Sequence, residues 1–515
     1  MNECLLINCD RQCSYSDTEF SLLCTAQIVV SYSTFPGGER ERFAEMQRNL
    51  SLAVEEGGSD DSKYDEDGHI KRTGNVVTAS AHIITSIIGS GVLSLAWAIA
   101  QLGSVAGPVA MVAFAVITLY TSLLLADCYR SPDGKRNYTY MDAVRTHLGG
   151  MKFKLCGLAQ YATLIGLSIG YAITTALSLQ AIARTNCYHV HGRGTANCIP
   201  SKRNFILMFG AVQVLLSQIP NFHQLSFLSI VAAIMYFGYS SIGLGLSAAQ
   251  IASGVEVKLS ATGVPVGANH SIKDKMFSTF SALGNIALAF AFSFVLIEIQ
   301  DTLRSSPRER RAMKQATSVG ILVASVFYLL CGILGYLAFG NAAPGNLLTD
   351  DHGFYEPFWV VDLANVCIIV HLVGAYQVFS QPFFALVESW CRTGWMGSQF
   401  ITQEHTVHIP FAGDWRFSPF RLAWRTAYVV FTTVVALIFP FFNAILGLLG
   451  SIAFWPLTIY FPIEMYISQA KIPRLSFTWI WLQILSLSCF VVSVIAAVGS
   501  VRDLIDSVMH FKPFE

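Results

Sequence analysis

Long stretches without a charged side chain dominate the hydrophobic pattern of this chain. Five windows contain no Asp, Glu, Lys or Arg at all: Asn75–Leu125, Asn204–Val255, Ala316–Thr349, Thr426–Ile463 and Leu475–Val501. A helix needs about 20 apolar residues to cross a bilayer, so each window holds one or two spans. The short alternating segments of a membrane β-barrel are absent. The pattern therefore predicts an all-α polytopic membrane protein.

Polar interruptions between the apolar windows divide the chain into eleven predicted transmembrane helices. Several of them exceed 25 residues, which permits either a tilt or a break in the helix. The predicted spans are 75–101, 105–127, 155–183, 204–219, 224–252, 277–301, 315–340, 358–390, 421–440, 443–468 and 475–500.

Composition and charge agree with this division and add an orientation. Of the 515 residues 53% are hydrophobic and 13% charged, about half the charged share of a soluble protein. With the N-terminus inside, 24 of the 33 Lys and Arg residues fall on the cytoplasmic side, as expected for cytoplasmic loops. The predicted organisation is a cytoplasmic tail over 1–74, a transmembrane domain over 75–500 and an extracellular tail over 501–515.

The predicted N-terminal tail has two parts of different composition. Residues 47–74 are polar and acidic, as in disordered leaders. Residues 1–45 are atypical, with four irregularly spaced cysteines and a largely uncharged run. A signal anchor or a metal site would need a basic flank or a zinc-type spacing, and both are lacking. We interpret 1–45 as disordered, or as an extension ahead of a start at Met46.

Two features mark the predicted extracellular loops. Cys187 and Cys198 share the loop 184–203, where we favour a disulfide over two unrelated thiols because that compartment is oxidising. The sequon at Asn269 also lies outside and predicts glycosylation, whereas the sequon at Asn137 lies inside and should stay unmodified.

The first predicted span contains Gly89-Ser90-Gly91 at its middle. Close helix packing explains small residues spaced by four, but three in succession point to different faces. Unwound backbone at membrane depth is tolerated only where it lines a cavity or is buried in protein. N–H groups that open the second half-helix would bind an anion such as a substrate carboxylate.

A second interruption is predicted in span 6, which opens the second half of the chain. Span 6 contains Gly284 and Asn285, followed by the small and aromatic mixture 289–293. Aromatic residues at this spacing are more often core, so this signal is the weaker of the two. Breaks in spans 1 and 6 fit a five-plus-five inverted repeat with one extra helix.

Several segments closely resemble the plant amino acid permeases. They include "AHIITSIIGSGVLSLAWAIAQLG", "LLLADCYR", "LIEIQDTLRSSP", "YLAFGNAAPGNLLT" and "LGLLGSIAFWPLTIYFPIEMYI". These permeases form the amino acid/auxin permease family within the amino acid–polyamine–cation superfamily. The likeness covers roughly residues 70 to 500 and implies proton-coupled amino acid import at the plasma membrane, on the LeuT-type fold.

This chain departs from the resembled family in span 6. Where relatives commonly carry "LGDIAFAYSYS", it has "LGNIALAFAFS", which places Asn285 at an Asp position and Phe290 and Phe292 at Tyr positions. Asn cannot ionise, and the two hydroxyls are lost. The predicted substrate-binding residues are Gly89, Ser90, Gly91, Asn285, Phe290 and Ser293.

Ionisable residues within spans are functional candidates. His82 lies two turns before Gly89 and His371 near the middle of span 8, and either could carry or gate a proton. The alternative for each is a neutral imidazole that bonds between helices. Four carboxylates lie near the predicted cytoplasmic ends, and we interpret them mainly as charges paired with Lys or Arg, with a proton relay less favoured: Glu298, Asp301, Glu388 and Glu464.

The sequence therefore predicts a proton-coupled amino acid symporter that imports its substrate across the plasma membrane by alternating access. No cofactor or metal is expected besides the co-transported proton, the lipid bilayer is the predicted environment, and no nucleic acid partner or enzymatic activity is expected. Span 8 offers only Ser380 as an inner hydroxyl, which argues against sodium coupling. A sodium-coupled transporter, a non-transporting amino acid sensor and a channel remain alternatives, and substrate range and oligomeric state stay open.

Overall fold

A computed structural model gives the three-dimensional arrangement of the chain. It describes residues 72–192, 198, 200–218, 226–266, 271–305, 309–395, 398–403, 405–409 and 413–510. Residues 1–71 and Asn269 therefore lie outside the described part, and the predictions made for the N-terminal tail and for glycosylation remain predictions.

Helices make up nearly all of the described chain, as the hydrophobic pattern predicts. The helices are α1 Val76–Ile87, α2 Leu95–Leu102, α3 Ala106–Leu125, α4 Tyr140–His147, α5 Gly150–His191, α6 Lys202–Ser217, α7 Ser226–Ala252, α8 Ile272–Ala289, α9 Leu296–Asp301, α10 Glu309–Phe339, α11 Phe358–Gly394, α12 Gln399–Thr402, α13 Pro419–Ile438, α14 Phe442–Ala453, α15 Phe461–Gln469 and α16 Phe477–His510.

Among the described residues, nine helical segments are long and apolar enough to cross a membrane, and the bent pair α1–α2 makes ten. The fourth predicted span corresponds to α6, which has 16 residues and begins with the charged pair Lys202-Arg203. This is shorter than the roughly 20 residues that a full crossing needs. The membrane-spanning class is thus confirmed, whereas the count of eleven stays a prediction.

Four of the five pairs of spans that are five positions apart in the predicted order pack against each other. The packed pairs are α2 with α8, α3 with α10, α5 with α11, and α6 with α13. In a five-plus-five repeat these pairs are the equivalent helices of the two halves. Because successive spans cross the membrane in alternating directions, two spans that are five positions apart run antiparallel. The packing therefore has the arrangement of an inverted repeat, with α16 as the additional helix.

Glycines allow α8 to approach α14 at backbone distance. A Cβ at Gly284 would lie 2.4 Å from the Gly447 carbonyl oxygen, and one at Gly450 would lie 2.0 Å from the Gly284 oxygen. Either contact requires the helices to separate. Gly284 is thus a packing residue inside a continuous helix, and the interruption of span 6 falls later than the Gly284-Asn285 pair.

Span 10 contains a wider turn. Between α14 and α15 the backbone follows a π-helix over Phe454–Tyr460. Such a segment widens the helix locally and is common at functional sites. The Leu457 carbonyl in this segment accepts a hydrogen bond of 2.7 Å from the Tyr140 hydroxyl at the start of α4.

Two connecting regions differ from a plain loop. In the loop predicted to be extracellular, Cys187 and Cys198 form a disulfide with Cα atoms 5.5 Å apart. Between α12 and α13 an antiparallel hairpin pairs β1, His405–Ile409, with β2, Gly413–Phe417. The sequence did not indicate this hairpin. The last helix also continues to His510, past the predicted end of the span at residue 500.

Candidate functional site

The first interruption begins where α1 ends at Ile87. Gly89 has extended backbone angles, and a 3-10 turn over Ser90–Ser94 leads into α2. A Cβ built on Gly89 or on Gly91 would meet no atom within 4 Å, so open space lies beside both glycines. The first N–H groups of a helical turn have no partner within the turn. The segment thus carries backbone donors without a partner in the turn, beside this open space.

The second interruption follows Ala289, the last residue of α8. Phe290 to Phe292 leave the helix, and a 3-10 turn over Ser293–Val295 leads into α9. Both spans therefore have the same construction, which is a helix, a short irregular segment, a 3-10 turn and a second helix. No glycine lies at this second break, where small and aromatic residues alternate.

Tyr328 on α10 joins the two interruptions. Its hydroxyl donates to the Ile87 carbonyl at 2.5 Å and lies 3.3 Å from the Ala289 carbonyl. These are the last carbonyls of α1 and α8, which have no partner within their own helices. The Tyr328 ring also packs edge-on against Phe290, with ring centroids 5.5 Å apart. One buried tyrosine therefore fixes both broken helices relative to each other.

Two other predicted substrate-binding residues of span 6, Asn285 and Ser293, have different surroundings. Asn285 is buried in α8, and neither its amide oxygen nor its amide nitrogen has a hydrogen-bond partner among the described residues. A buried amide without partners is unfavourable unless water or a ligand satisfies it. Ser293 is fully buried, and its hydroxyl lies 3.3 Å from that of Ser122 on α3. For Ser90 only the backbone is described.

Loop residues cover the end of the site that is predicted to face outward. The Leu347 amide donates to the Leu93 carbonyl within the first 3-10 turn, at 3.3 Å. Arg184 on α5 holds the same loop through an ion pair with Asp351 and a 2.8 Å hydrogen bond to the Asp350 carbonyl. Since the Arg184 side chain is almost completely buried, this loop is firmly bound over the unwound segment.

A charged cluster joins the helix ends at the opposite side. We call it the inner cluster and define it as Arg72, Tyr129, Arg130, Arg136, Asp301 and Glu309. Its centre is Glu309, which pairs with Arg72 at 3.0 Å and with Arg130 at 2.6 Å. Burial raises the pKa of the Tyr129 phenol well above its usual range, so Tyr129 stays a donor to Asp301 at 2.5 Å.

A backbone bridge reinforces the inner cluster. The Gly74 amide donates to the Thr302 carbonyl at 3.1 Å, and the Arg304 amide donates to the Gly74 carbonyl at 3.0 Å. The start of the first broken span is therefore bound to the end of the second.

The family model for transmembrane amino acid transporter proteins matches residues 72–506, which is most of the chain. The chain belongs to this transporter family. The match begins at Arg72, the first residue of the inner cluster, and ends within α16, so it includes both broken spans.

Curated relatives of the same transporter family cover nearly the whole chain. "Amino acid permease 6" of Arabidopsis thaliana is 57% identical over 481 residues, 91% of this chain and 100% of the relative. "Amino acid permease 8" of the same plant is 57% identical over 470 residues, 91% and 98% of the two chains. "Lysine histidine transporter-like 6" is 31% identical over 431 residues, 82% and 89%. The resemblance to plant amino acid permeases is confirmed.

Two solved structures are more distantly similar to this chain. An inward-facing conformation of Mhp1 has a TM-score of 0.49 and 11% identity, and covers 86% of this chain and 93% of that one. MhsT in complex with L-phenylalanine has a TM-score of 0.47 and 11% identity, and covers 84% and 99%.

The two histidines of this transporter have different surroundings. His82 is half-buried on α1, and its backbone carbonyl accepts the hydroxyls of Thr85 and Ser86. His371 on α11 faces two tyrosines of α7, with ring centroids 6.0 Å from Tyr236 and 6.2 Å from Tyr239. Its Nδ1 atom and both phenol oxygens are buried without a hydrogen-bond partner in the described structure.

Three of the four carboxylates near the predicted cytoplasmic ends are paired with a cation. Asp301 lies 3.6 Å from Arg136, Glu388 lies 2.9 Å from Arg425, and Glu464 lies 2.5 Å from Lys152. The fourth is different, because no cation of the described chain pairs with Glu298. One of its oxygens accepts the Tyr140 amide at 3.0 Å and the other is buried and unpartnered. The interpretation of Glu298 as an ion-paired charge was wrong.

Sequence reasoning missed the tyrosines of the site. Tyr328, Tyr236 and Tyr239 are buried, and each carries a hydroxyl inside a span. A buried tyrosine normally finds a partner for its hydroxyl, so tyrosines in charge-free windows could have served as a signal.

Proposed function

We propose that this chain imports amino acids across the plasma membrane as a proton-coupled symporter that works by alternating access. Membership of the amino acid transporter family supports the substrate class. The observation that carries the proposal is the pair of broken spans, which meet at Tyr328 beside open space at Gly89 and Gly91.

The unwound backbone suits the two charged groups that every amino acid substrate carries. Free N–H donors at Ser90 and Gly91 would bind the α-carboxylate, which is the role predicted for this segment. Carbonyls of the irregular segment 290–292 would accept the α-ammonium group through a remaining lone pair, since those of Phe290 and Phe292 already accept the Phe292 and Val295 amides. The buried amide of Asn285, which lacks a partner in the described chain, would then point to the substrate side chain or to an ordered water.

Hydrogen bonds divide the helices into two groups, which supports alternating access. The inner cluster and Tyr328 join the spans that contain α1, α3, α9 and α10. A second group joins α5, α6, α11 and α13 through the pairs Ser168–Tyr428, Tyr376–Thr432, Gln213–Gln377 and Glu388–Arg425. Two internally bonded groups can move as bodies against each other, exposing the site to one side at a time.

Sodium coupling has less support than proton coupling. The inner hydroxyl of span 8, Ser380, lies 3.3 Å from the Ser168 hydroxyl and joins α11 to α5. It is therefore engaged between two helices of the second group. A sensor that binds amino acids without moving them would use the same pocket, and only a transport measurement separates that alternative.

Uptake in yeast that lacks its own amino acid transporters tests the proposal. Radiolabelled amino acids are offered between about pH 5 and about pH 8, with sodium or with potassium as the sole cation, and with a protonophore. We expect uptake that rises towards acidic pH, that stops with the protonophore and that ignores sodium.

Each alternative has its own result in this experiment. Uptake that requires sodium and is insensitive to the protonophore supports the sodium-coupled transporter. Saturable binding to membranes without any uptake supports the sensor. A fluorescent tag on the same protein in plant cells checks the plasma membrane location.

A further inference from the structure

Glu298 is a buried carboxyl group inside a membrane span without a cation beside it. It lies in α9, five residues past Ser293 and three before Asp301, between the candidate substrate site and the inner cluster. Its Oε1 atom accepts the Tyr140 amide at 3.0 Å, while Oε2 is buried with no hydrogen-bond partner. The described structure thus leaves one carboxylate oxygen where a proton could bind.

Among the described residues, no Lys, Arg or His side chain forms an ion pair or a hydrogen bond with Glu298. The titratable groups that interact with it are Tyr140 and Asp142 of α4, Cys156 of α5 and Asp301 of α9 itself. The elements packed against α9 also carry His82 of α1, Cys128 after α3, Arg145, which lies over the Phe153 ring, and His147, whose ring lies against the Cys128 carbonyl. The nearby basic groups are held by other carboxylates: Arg136 by Asp301, Arg310 and Lys314 by Asp127, and Arg72 and Arg130 by Glu309.

An ionised carboxylate without a cation is unfavourable in a low-dielectric interior. Asp301, Glu464 and Glu388 each pair with an arginine or a lysine, and no cation of the described residues pairs with Glu298. A group that is present, buried and unpaired inside a transporter span is a functional candidate rather than a structural ion pair.

The contact at Oε1 gives the ionisation of Glu298 a mechanical consequence. Tyr140 is the first residue of α4, and its side chain is fully buried, with its hydroxyl bonded to the Leu457 carbonyl of the π-helix. Hydrogen bonds to an ionised acceptor are roughly twice as strong as neutral ones. Protonation of Glu298 would therefore weaken the attachment of α4 to the second half of span 6.

We propose that Glu298 is the carboxyl group that carries the co-transported proton, and that its ionised form holds α4 against α9 on the inner side. The inference rests on the proposed proton coupling. A proton from the outer solution forms an O–H bond at Oε2 and yields the neutral acid, and the α4 contact loosens. Loss of that proton to cytoplasmic water restores the carboxylate and the contact.

Purified protein in liposomes gives a direct test with Glu298→Gln. Gln has nearly the same shape and keeps an oxygen for the Tyr140 amide, but it cannot exchange a proton. With the membrane potential clamped at zero, a gradient of one pH unit is worth about 1.36 kcal/mol per proton, which drives accumulation of about tenfold. We expect this accumulation from the wild type. For Glu298→Gln we expect no accumulation but retained exchange of labelled for unlabelled substrate.

Two further variants make the result specific. Glu464→Gln is the matched control, because Glu464 is an inner-side carboxylate that already pairs with Lys152, and it should accumulate substrate as the wild type does. Glu298→Asp keeps an ionisable group at a changed position, so we expect transport with a shifted pH midpoint.

The outcomes separate this inference from the proposed function. If the wild type itself shows no pH-driven accumulation, proton coupling fails as a whole. If the wild type accumulates substrate and Glu298→Gln does so equally, the proton carrier lies elsewhere and the inference is overturned. Should Glu298→Gln fail to fold, an unshifted pH profile of Glu298→Asp would overturn it instead.

Discussion

The glycines within the spans have two distinct physical roles. Gly284, Gly447 and Gly450 permit backbone contact between helices, and any Cβ there collides with main-chain or side-chain atoms within 3.0 Å. Gly89 and Gly91 have open space instead. Substitutions at the two classes should therefore fail in different ways, the first in folding and the second in transport.

Gly91→Val should abolish amino acid uptake while the protein still reaches the cell surface, because the new side chain fills the space that the substrate carboxylate needs. Radiolabelled uptake and surface biotinylation measure the two quantities. Gly245→Val on α7 is the control, since that glycine also has no atom within 4 Å but lies on an exposed helix face. Normal uptake by Gly91→Val would contradict the assigned carboxylate site.

Gly450→Ala should instead reduce the amount of folded protein, since its Cβ would lie 2.0 Å from the Gly284 carbonyl oxygen. Overpacking of this kind typically destabilises by about 1–3 kcal/mol. Fluorescence-detected size-exclusion chromatography of the detergent-solubilised protein after heating measures the loss. A variant as heat-resistant as the wild type would show that α8 and α14 separate easily.

Asn285→Asp should improve the uptake of Lys and Arg relative to neutral amino acids, or shift the pH optimum. The amide of Asn285 is buried and unpartnered in the described structure, so a carboxylate there would gain stability from a cationic substrate or a proton. Competition of cationic against neutral amino acids at several pH values measures both effects. A variant identical to wild type in both would make position 285 structural.

At the scale of elements, the side chain of Tyr328 connects the two broken spans. The Tyr328 hydroxyl reaches the last carbonyl of each first half-helix, so the two irregular segments are not independent. A change on α10, which carries no predicted substrate residue, should therefore alter substrate binding.

Tyr328→Phe should raise the KM for amino acids with little loss of surface protein. An unsatisfied buried carbonyl is unfavourable by about 1–3 kcal/mol, and the irregular segments would relax to satisfy it. Tyr336→Phe serves as the control, because its hydroxyl bonds to Ser260 and Asn341 near the outer loops. Equal KM values for both variants would mean that the hydrogen bonds of Tyr328 do not determine the geometry of the substrate site.

The sequence indicated the first break more clearly than the second for a physical reason. Three small residues in succession weaken a helix locally, and the structure breaks there. In span 6 the glycine at position 284 supports packing against α14, and the break falls at Phe290 to Phe292, where tertiary contacts decide it. Periodicity cannot distinguish such aromatic residues from core, and it also missed the hairpin of β1 and β2.

Contacts between residues that are distant in the sequence could not be predicted from the sequence. Closely spaced glycines and single histidines within a span are visible in the local sequence. Gly89 and Gly91 could therefore be predicted as substrate-binding residues, and His82 and His371 as proton-carrying candidates. Whether a carboxylate has a cation beside it depends on the fold, which is why Glu298 was grouped with Asp301, Glu388 and Glu464. The unpaired state of Glu298 could only be seen after the helices were assembled.

At the scale of the whole molecule, the loop over the first 3-10 turn is predicted to close the outer side. Arg184→Gln should loosen this closure, because the loop loses its ion pair with the buried Arg184 guanidinium. A cysteine at the buried position Leu347 reports the change through labelling by a membrane-impermeant thiol reagent, which should become faster. Arg502→Gln, which breaks a surface pair with Asp506, is the control. Unchanged labelling in Arg184→Gln would exclude a gating role.

Glycosylation and thiol labelling test the predicted orientation of the chain in the membrane. Glycosidase should shift the wild-type band but leave Asn269→Gln unchanged, and an impermeant thiol reagent should label Cys187 and Cys198 only after reduction. Asn137 should stay unmodified, and its side chain is buried and bonded to the Cys128 carbonyl. Glycosylation at Asn137 would reverse the assigned topology.

The π-helix in span 10 accommodates an extra residue with little change in the direction of the helix that follows. A turn closed by i→i+5 hydrogen bonds holds about one residue more than an α-helical turn. Removing one residue from Phe454–Tyr460 would therefore restore an α-helical path and keep α15 near its present angular phase, so Glu464 would still face Lys152 and Gln483. A deletion within α15 itself would instead rotate the residues beyond it by about 100°. In homologues of this family, a one-residue difference in the length of span 10 is thus accommodated best within this turn.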